Sequence, residues 1–252
     1  PSGHDPDKYV VERLKAKSHD GRMIPITLVR RKEIKLDGKS KMVLYAYGAY
    51  KHSVDVSFSA SRFCLIDRGI TFGIAHVRGG SELGNHWHEE SKFSKKINTF
   101  KDYISCSNYL IEQKYTYKGG ICFLGGSAGG LTGSAVANMA PELFFSMLLL
   151  VPFCDPLTTM LNEKLPLTPS EWELWGNPIK SKKYFESILS YSPYNNLRRT
   201  SYPPMLVTTS LFDSRVLYSE PIKYVAKLRE LKSDKNLQLL KCKMKAASHG
   251  GP

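Results

Sequence analysis

The run Ile121-Cys122-Phe123-Leu124-Gly125-Gly126-Ser127-Ala128-Gly129-Gly130 decides the reading of this chain. A short apolar stretch, Ile121 to Leu124, suits a buried strand and runs directly into Gly-x-Ser-x-Gly. Small residues from Ala128 to Met139 then read as a helix that Pro141 stops. A serine held between such a strand and such a helix sits on a tight turn that lifts its hydroxyl out of the sheet. Small neighbours relieve the crowding, and the helix N-terminus favours developing negative charge. A glycine-rich turn without chemistry is the plain alternative. Its place between these two elements is what favours a nucleophile.

Working outward, strands and helices alternate. Tyr9 to Arg31 holds two runs rich in Val, Ile and Thr around His19-Asp20-Gly21-Arg22, a β-hairpin signature. Strands are expected at Met42 to Tyr47, Ile70 to Val77, Ile121 to Leu124, Phe144 to Val151, Met205 to Thr209 and Leu237 to Met244, and helices at Asn98 to Gln113 and about Tyr218 to Leu231. That makes eight strands, two or three antiparallel at the start and the rest joined by right-handed crossovers in a mainly parallel sheet. The proline- and aromatic-rich stretch at about 155–201 is too long for a simple loop and reads as a helical insertion over one sheet edge. One domain over residues 1–252 is expected.

Composition narrows the function. With 252 residues, 42% hydrophobic and 23% charged, the chain is neither disordered nor fibrous, and no apolar run approaches a membrane span. The net charge of +13 raises nucleic acid or an acidic membrane as partners. Its basic residues are scattered, however, and the densest runs, Arg30-Arg31-Lys32 and Lys180 to Lys183, read as solvated faces. Neither nucleic acid nor membrane is therefore expected as a partner. Five cysteines, an odd number without CxxC spacing, favour reduced thiols and a cytoplasmic setting. His86, His88, Glu89 and Glu90 have metal-like composition but not the H-E-x-x-H spacing, so no metal is expected, and no cofactor.

A serine nucleophile needs a base, and the base an orienting acid. In this topology the order is serine, acid, histidine. Asp213 lies just past the apolar run Leu206-Val207, where α/β sheets collect reactive groups. Asp155, after the preceding strand, is its rival, with helix capping as the simpler role. His249 is the only histidine after Ser127, so it is the base if the triad exists.

Together these motifs resemble the prolyl oligopeptidase family of serine peptidases, and within it the oligopeptidase B group. The resemblance runs through Leu44 to Tyr50 (LYAYGAY), Val77 to Gly84 (VRGGSELG), Gly125 to Gly130, Pro166 to Pro178 (PLTPSEWELWGNP), Tyr191 to Tyr194 (YSPY) and Phe212 to Val216 (FDSRV). It implies an α/β-hydrolase fold with Ser127 as nucleophile, Asp213 as orienting acid and His249 as base. Tyr47 and the Ala128 amide would form the oxyanion hole, a phenol being suited to donate to negative charge without carrying any. Arg215 matches an arginine near the bound peptide. Glu171 and Glu173 match an acidic pocket for a substrate Arg or Lys, whereas from the residues alone they read as solvent-facing acids of a first helical turn. Asp55 matches one acid of a second basic subsite, and Ser57 stands where the other would be.

The function implied is hydrolysis of short basic peptides after Arg or Lys through an acyl-enzyme. A related peptidase or esterase, and a truncated fragment acting only in interactions, are the alternatives. The family carries an N-terminal β-propeller, which is expected to be absent here. Three residues follow His249. The expectation is thus a C-terminally truncated catalytic domain, poorly soluble, with a loosely held base.

Overall fold

The structure is a computed structural model and describes residues 4–245 together with His249. Its strands are β1 (Tyr9–Lys17), β2 (Met23–Arg31), β3 (Met42–Tyr45), β4 (Thr71–Ala75), β5 (Ile121–Gly126), β6 (Phe144–Leu150), β7 (Met205–Ser210) and β8 (Gln238–Lys243). They form one eight-stranded sheet in the order β1-β2-β4-β3-β5-β6-β7-β8. Only β2 runs against its neighbours: it pairs antiparallel with both β1 and β4, and every other pairing is parallel. The hairpin read from the sequence is thus the sheet's sole reversal.

The helices are α1 (Ala60–Ile66), α2 (Asn85–Glu89), α3 (Ile97–Glu112), α4 (Ala128–Met139), α5 (Pro156–Met160), α6 (Thr168–Trp175), α7 (Lys182–Tyr191) and α8 (Ser219–Leu231). Alternation along the strands sends successive side chains to opposite faces. Met42, Leu44, Ile121 and Phe123 join the larger core with Phe100 and Tyr103 of α3, Leu131 and Ala135 of α4 and Tyr224 and Leu228 of α8. Val43, Phe72, Ile74 and Cys122 face the other way and meet Ile66 of α1 in a smaller core. Helices α5, α6 and α7 occupy the segment read as a helical insertion. Among the described residues no helix is long and apolar enough to cross a membrane.

The C-terminal ends of β3, β5, β6 and β7 point the same way, and the loops beyond them carry the candidate residues. This is where parallel α/β sheets place their chemistry.

Candidate active site

Ser127 joins β5 to α4 with φ 53° and ψ −120°, a left-handed conformation that a residue with a side chain adopts only when its surroundings enforce it. The enforcement is visible. Its N–H donates to Leu150 O at 2.9 Å, and its carbonyl accepts from Leu131 N at 3.1 Å and Phe153 N at 3.0 Å. The flanking glycines allow the close approach: a Cβ at Gly129 would lie 2.8 Å from Ala46 O and 3.3 Å from Tyr47. Ala128, buried, opens α4, so its N–H is among those with no partner inside the helix.

Tyr47 lies two residues beyond the end of β3. Its phenol lies within the electrostatic reach of the Ser127 side chain. Burial raises the phenol pKa, with Tyr45 and Glu171 adding to the rise, while the Ser127 hydroxyl and the positive charge of Arg215 oppose it. Tyr47, Ser127, Glu171 and Arg215 thus share one electrostatic neighbourhood. The main chain of Tyr47 is tied to α4, since Thr132 Oγ1 donates to its carbonyl at 2.9 Å.

Asp213 is buried in the loop after β7. Its Oδ1 accepts from Arg215 N at 2.9 Å and Val216 N at 3.0 Å, which fixes the carboxylate plane. His249 Nδ1 lies 2.8 Å from Oδ2 and 3.0 Å from Oδ1. The rival acid, Asp155, is committed elsewhere: it caps α5 by accepting from Thr158 N at 3.4 Å and forms an ion pair with Lys223 of α8. Of the two acids, only Asp213 meets a histidine among the described residues.

The two glutamates of α6 differ. Glu171 is half-buried, and its Oε2 accepts from Tyr50 Oη at 2.9 Å and Trp175 Nε1 at 2.6 Å. Desolvation raises its pKa against the pull of these two bonds. Glu173 is exposed. Residues two apart on a helix do not share a face, so an inward Glu171 turns Glu173 outward. Arg215 has an exposed side chain, while its N–H serves Asp213. Asp55 is exposed too, and its bonds are local: Ser57 holds its carboxyl below the usual range by side-chain and backbone hydrogen bonds.

The metal-like group does not converge. His88 Nδ1 is 3.2 Å from Gly79 O, Glu89 pairs with Lys92, and Glu90 binds Arg22 and Arg78. No cluster of metal-ligating side chains occurs among the described residues. Sequence reasoning passed over Tyr50 and Trp175, the two donors on Glu171. Their places in the aromatic-rich LYAYGAY and SEWELWG stretches were the available signal.

Comparison with known proteins identifies the family. The model of the prolyl oligopeptidase family matches residues 56–252. The chain is 48% identical over 250 residues to dipeptidyl aminopeptidase BI of Pseudoxanthomonas mexicana, covering 99% of this chain and 34% of that protein. It superposes on oligopeptidase B from Leishmania major with a TM-score of 0.94 at 44% identity, covering 97% of this chain and 34% of that one. Oligopeptidase B from Trypanosoma brucei, in a closed form with covalently bound antipain, gives a TM-score of 0.94 at 42% identity over 97% of this chain and 34% of that one. The chain spans about a third of the length of these relatives. On a family match across most of its residues and near-complete alignment with such relatives, the chain belongs to the prolyl oligopeptidase family.

Proposed function

We propose that the chain is the catalytic portion of a serine oligopeptidase that cleaves short peptides after Arg or Lys. His249, oriented through Nδ1 by Asp213, takes the proton of Ser127 through Nε2 as the serine oxygen attacks the scissile carbonyl. The Tyr47 hydroxyl and the Ala128 N–H receive the oxyanion. Collapse breaks the peptide bond, the leaving amine takes the proton from His249, and water then releases the acyl group by the same route reversed.

The observation that carries this reading is the carboxylate of Asp213, pinned by two backbone N–H groups and hydrogen-bonded to His249. Support for the basic specificity is Glu171, a half-buried carboxyl whose second oxygen remains for a substrate cation after Tyr50 and Trp175 have bound the first. Glu173 and Asp55, both exposed, contribute less. Arg215 stands near Tyr47, suited to the carbonyls of a bound peptide. In full-length relatives a β-propeller is the expected partner domain, and the free cysteines support a cytoplasmic setting.

The dipeptidyl aminopeptidase relative favours a second reading of the same triad, removal of dipeptides from a free N-terminus. Amide substrates with blocked and free N-termini separate the two. For the triad itself, a fluorophosphonate should label the chain once, at Ser127, and a His249→Ala variant should label far more slowly. A folded chain that takes no label would overturn the proposal.

A further inference from the structure

Lys96 is a cation where physics least favours one. It is 1% exposed, and it stands at the N-cap of the sixteen-residue helix α3, whose dipole opposes positive charge there. Its charge feels Asp102, but its hydrogen-bond partner is a neutral group: Nζ donates to the carbonyl of Gly48. The ammonium lies 5.2 Å from the ring centre of Trp175 and 5.8 Å from that of Phe100. Burial lowers its pKa to about 7, the direction expected of an incompletely compensated cation. An apolar side chain of similar volume would fill the space at less desolvation cost, so stability alone gives little reason for a lysine.

Its partner gives one. Gly48 follows Tyr47 directly and holds φ +81°, and Gly79 approaches so closely that a Cβ there would collide with the Gly48 carbonyl. The turn that follows Tyr47, whose phenol feels the Ser127 side chain, is thus packed against Gly79 and bonded by Lys96. Trp175, whose ring faces the ammonium, also donates to Glu171. One buried lysine therefore touches both the segment carrying the oxyanion phenol and the residue that orients the acid for the substrate cation.

We propose that Lys96 is a positioning residue for the reaction, its ammonium fixing the Gly48 carbonyl and through it the Tyr47 hydroxyl that stabilises the oxyanion. This rests on the reading of Tyr47 given above.

The test is a double-mutant cycle on the chain with Lys96→Met and Tyr47→Phe, read as kcat and KM on a fluorogenic Arg-amide beside thermal melting. Tyr47→Phe alone should lower kcat by about 100-fold or more, the usual size of a lost oxyanion donor. Lys96→Met should melt at or above the parent temperature while kcat falls about tenfold or more with KM little changed. In the Tyr47→Phe background the same change should cost less than about threefold, because the group that Lys96 positions is gone. An unaltered kcat in Tyr47→Phe would refute the oxyanion reading itself. A normal Tyr47→Phe effect with full multiplication of the two losses, with unaltered kcat in Lys96→Met, or with Lys96→Met failing to fold would refute the role of Lys96 alone.

Discussion

Replacing Glu171 by Gln tests the substrate reading where the structure is most specific. The change is nearly isosteric, and the amide oxygen still accepts from Tyr50 and Trp175, so the fold should be untouched. What disappears is the charge on the second oxygen. A charge-assisted hydrogen bond contributes about 1.5–3 kcal/mol, and a cation left unpaired in a half-buried site raises the loss to about 3 kcal/mol. At about 1.4 kcal/mol per decade, kcat/KM for an Arg-amide should fall by about 100-fold. A citrulline-amide, the neutral analogue of the same shape, should change by less than about threefold, and the Arg preference should vanish. Glu173→Gln, at an exposed site, should shift the Arg-amide by no more than about threefold. Because burial raises the Glu171 carboxyl pKa, it gains its proton at a higher pH than a free carboxylate, so the Arg preference should fade above the ordinary carboxylate range. Retention of the preference in Glu171→Gln, or its collapse in Glu173→Gln alone, would refute the reasoning.

Gly129→Ala places a methyl group 2.8 Å from the backbone oxygen of Ala46 and 3.3 Å from Tyr47 Cα and Cδ2, too close without a shift of that segment. Overpacking of this kind costs about 1–3 kcal/mol, and kcat should fall at least about tenfold as Tyr47 is displaced; wild-type turnover with wild-type melting would count against the elbow geometry. Glu220 is buried beside Asp155 and Thr159, and desolvation raises its pKa from 4.5 to about 7. The folded chain then keeps a proton that the unfolded chain releases, so the stability from this group is complete below pH 4.5 and is lost as pH rises through about 7. Glu220→Gln should match the parent in urea unfolding near pH 4 and exceed it near pH 8 by about 2–3 kcal/mol; an equal difference at both would contradict the assignment.

Local pattern carried much of this architecture. The elbow at Ser127, the hairpin around Asp20-Gly21 and the strand before Asp213 were legible because each depends on neighbours in sequence: an apolar run, a turn signal, a small-residue helix. The acid was legible as Asp213 with Asp155 as its rival. What the structure adds is that Lys223 and the start of α5 occupy Asp155, while His249 meets Asp213. Glu171 and Glu173 looked equivalent because their spacing does not say which side of α6 turns inward; Tyr50, distant in sequence, decides it. Lys96 was hidden for a related reason. Among Lys92 and Lys95 it reads as one more solvated charge, and only the packing of Gly48 and Trp175 over it shows a buried cation.

The central claim is tested most directly by hydrolysis of a fluorogenic Arg-amide by the chain and by its Ser127→Ala variant, with a Pro-amide as the control for specificity. Turnover of the Arg-amide well above that of the Pro-amide, abolished in Ser127→Ala, is the expected result. Turnover that survives in Ser127→Ala, or none in a folded chain, would contradict it.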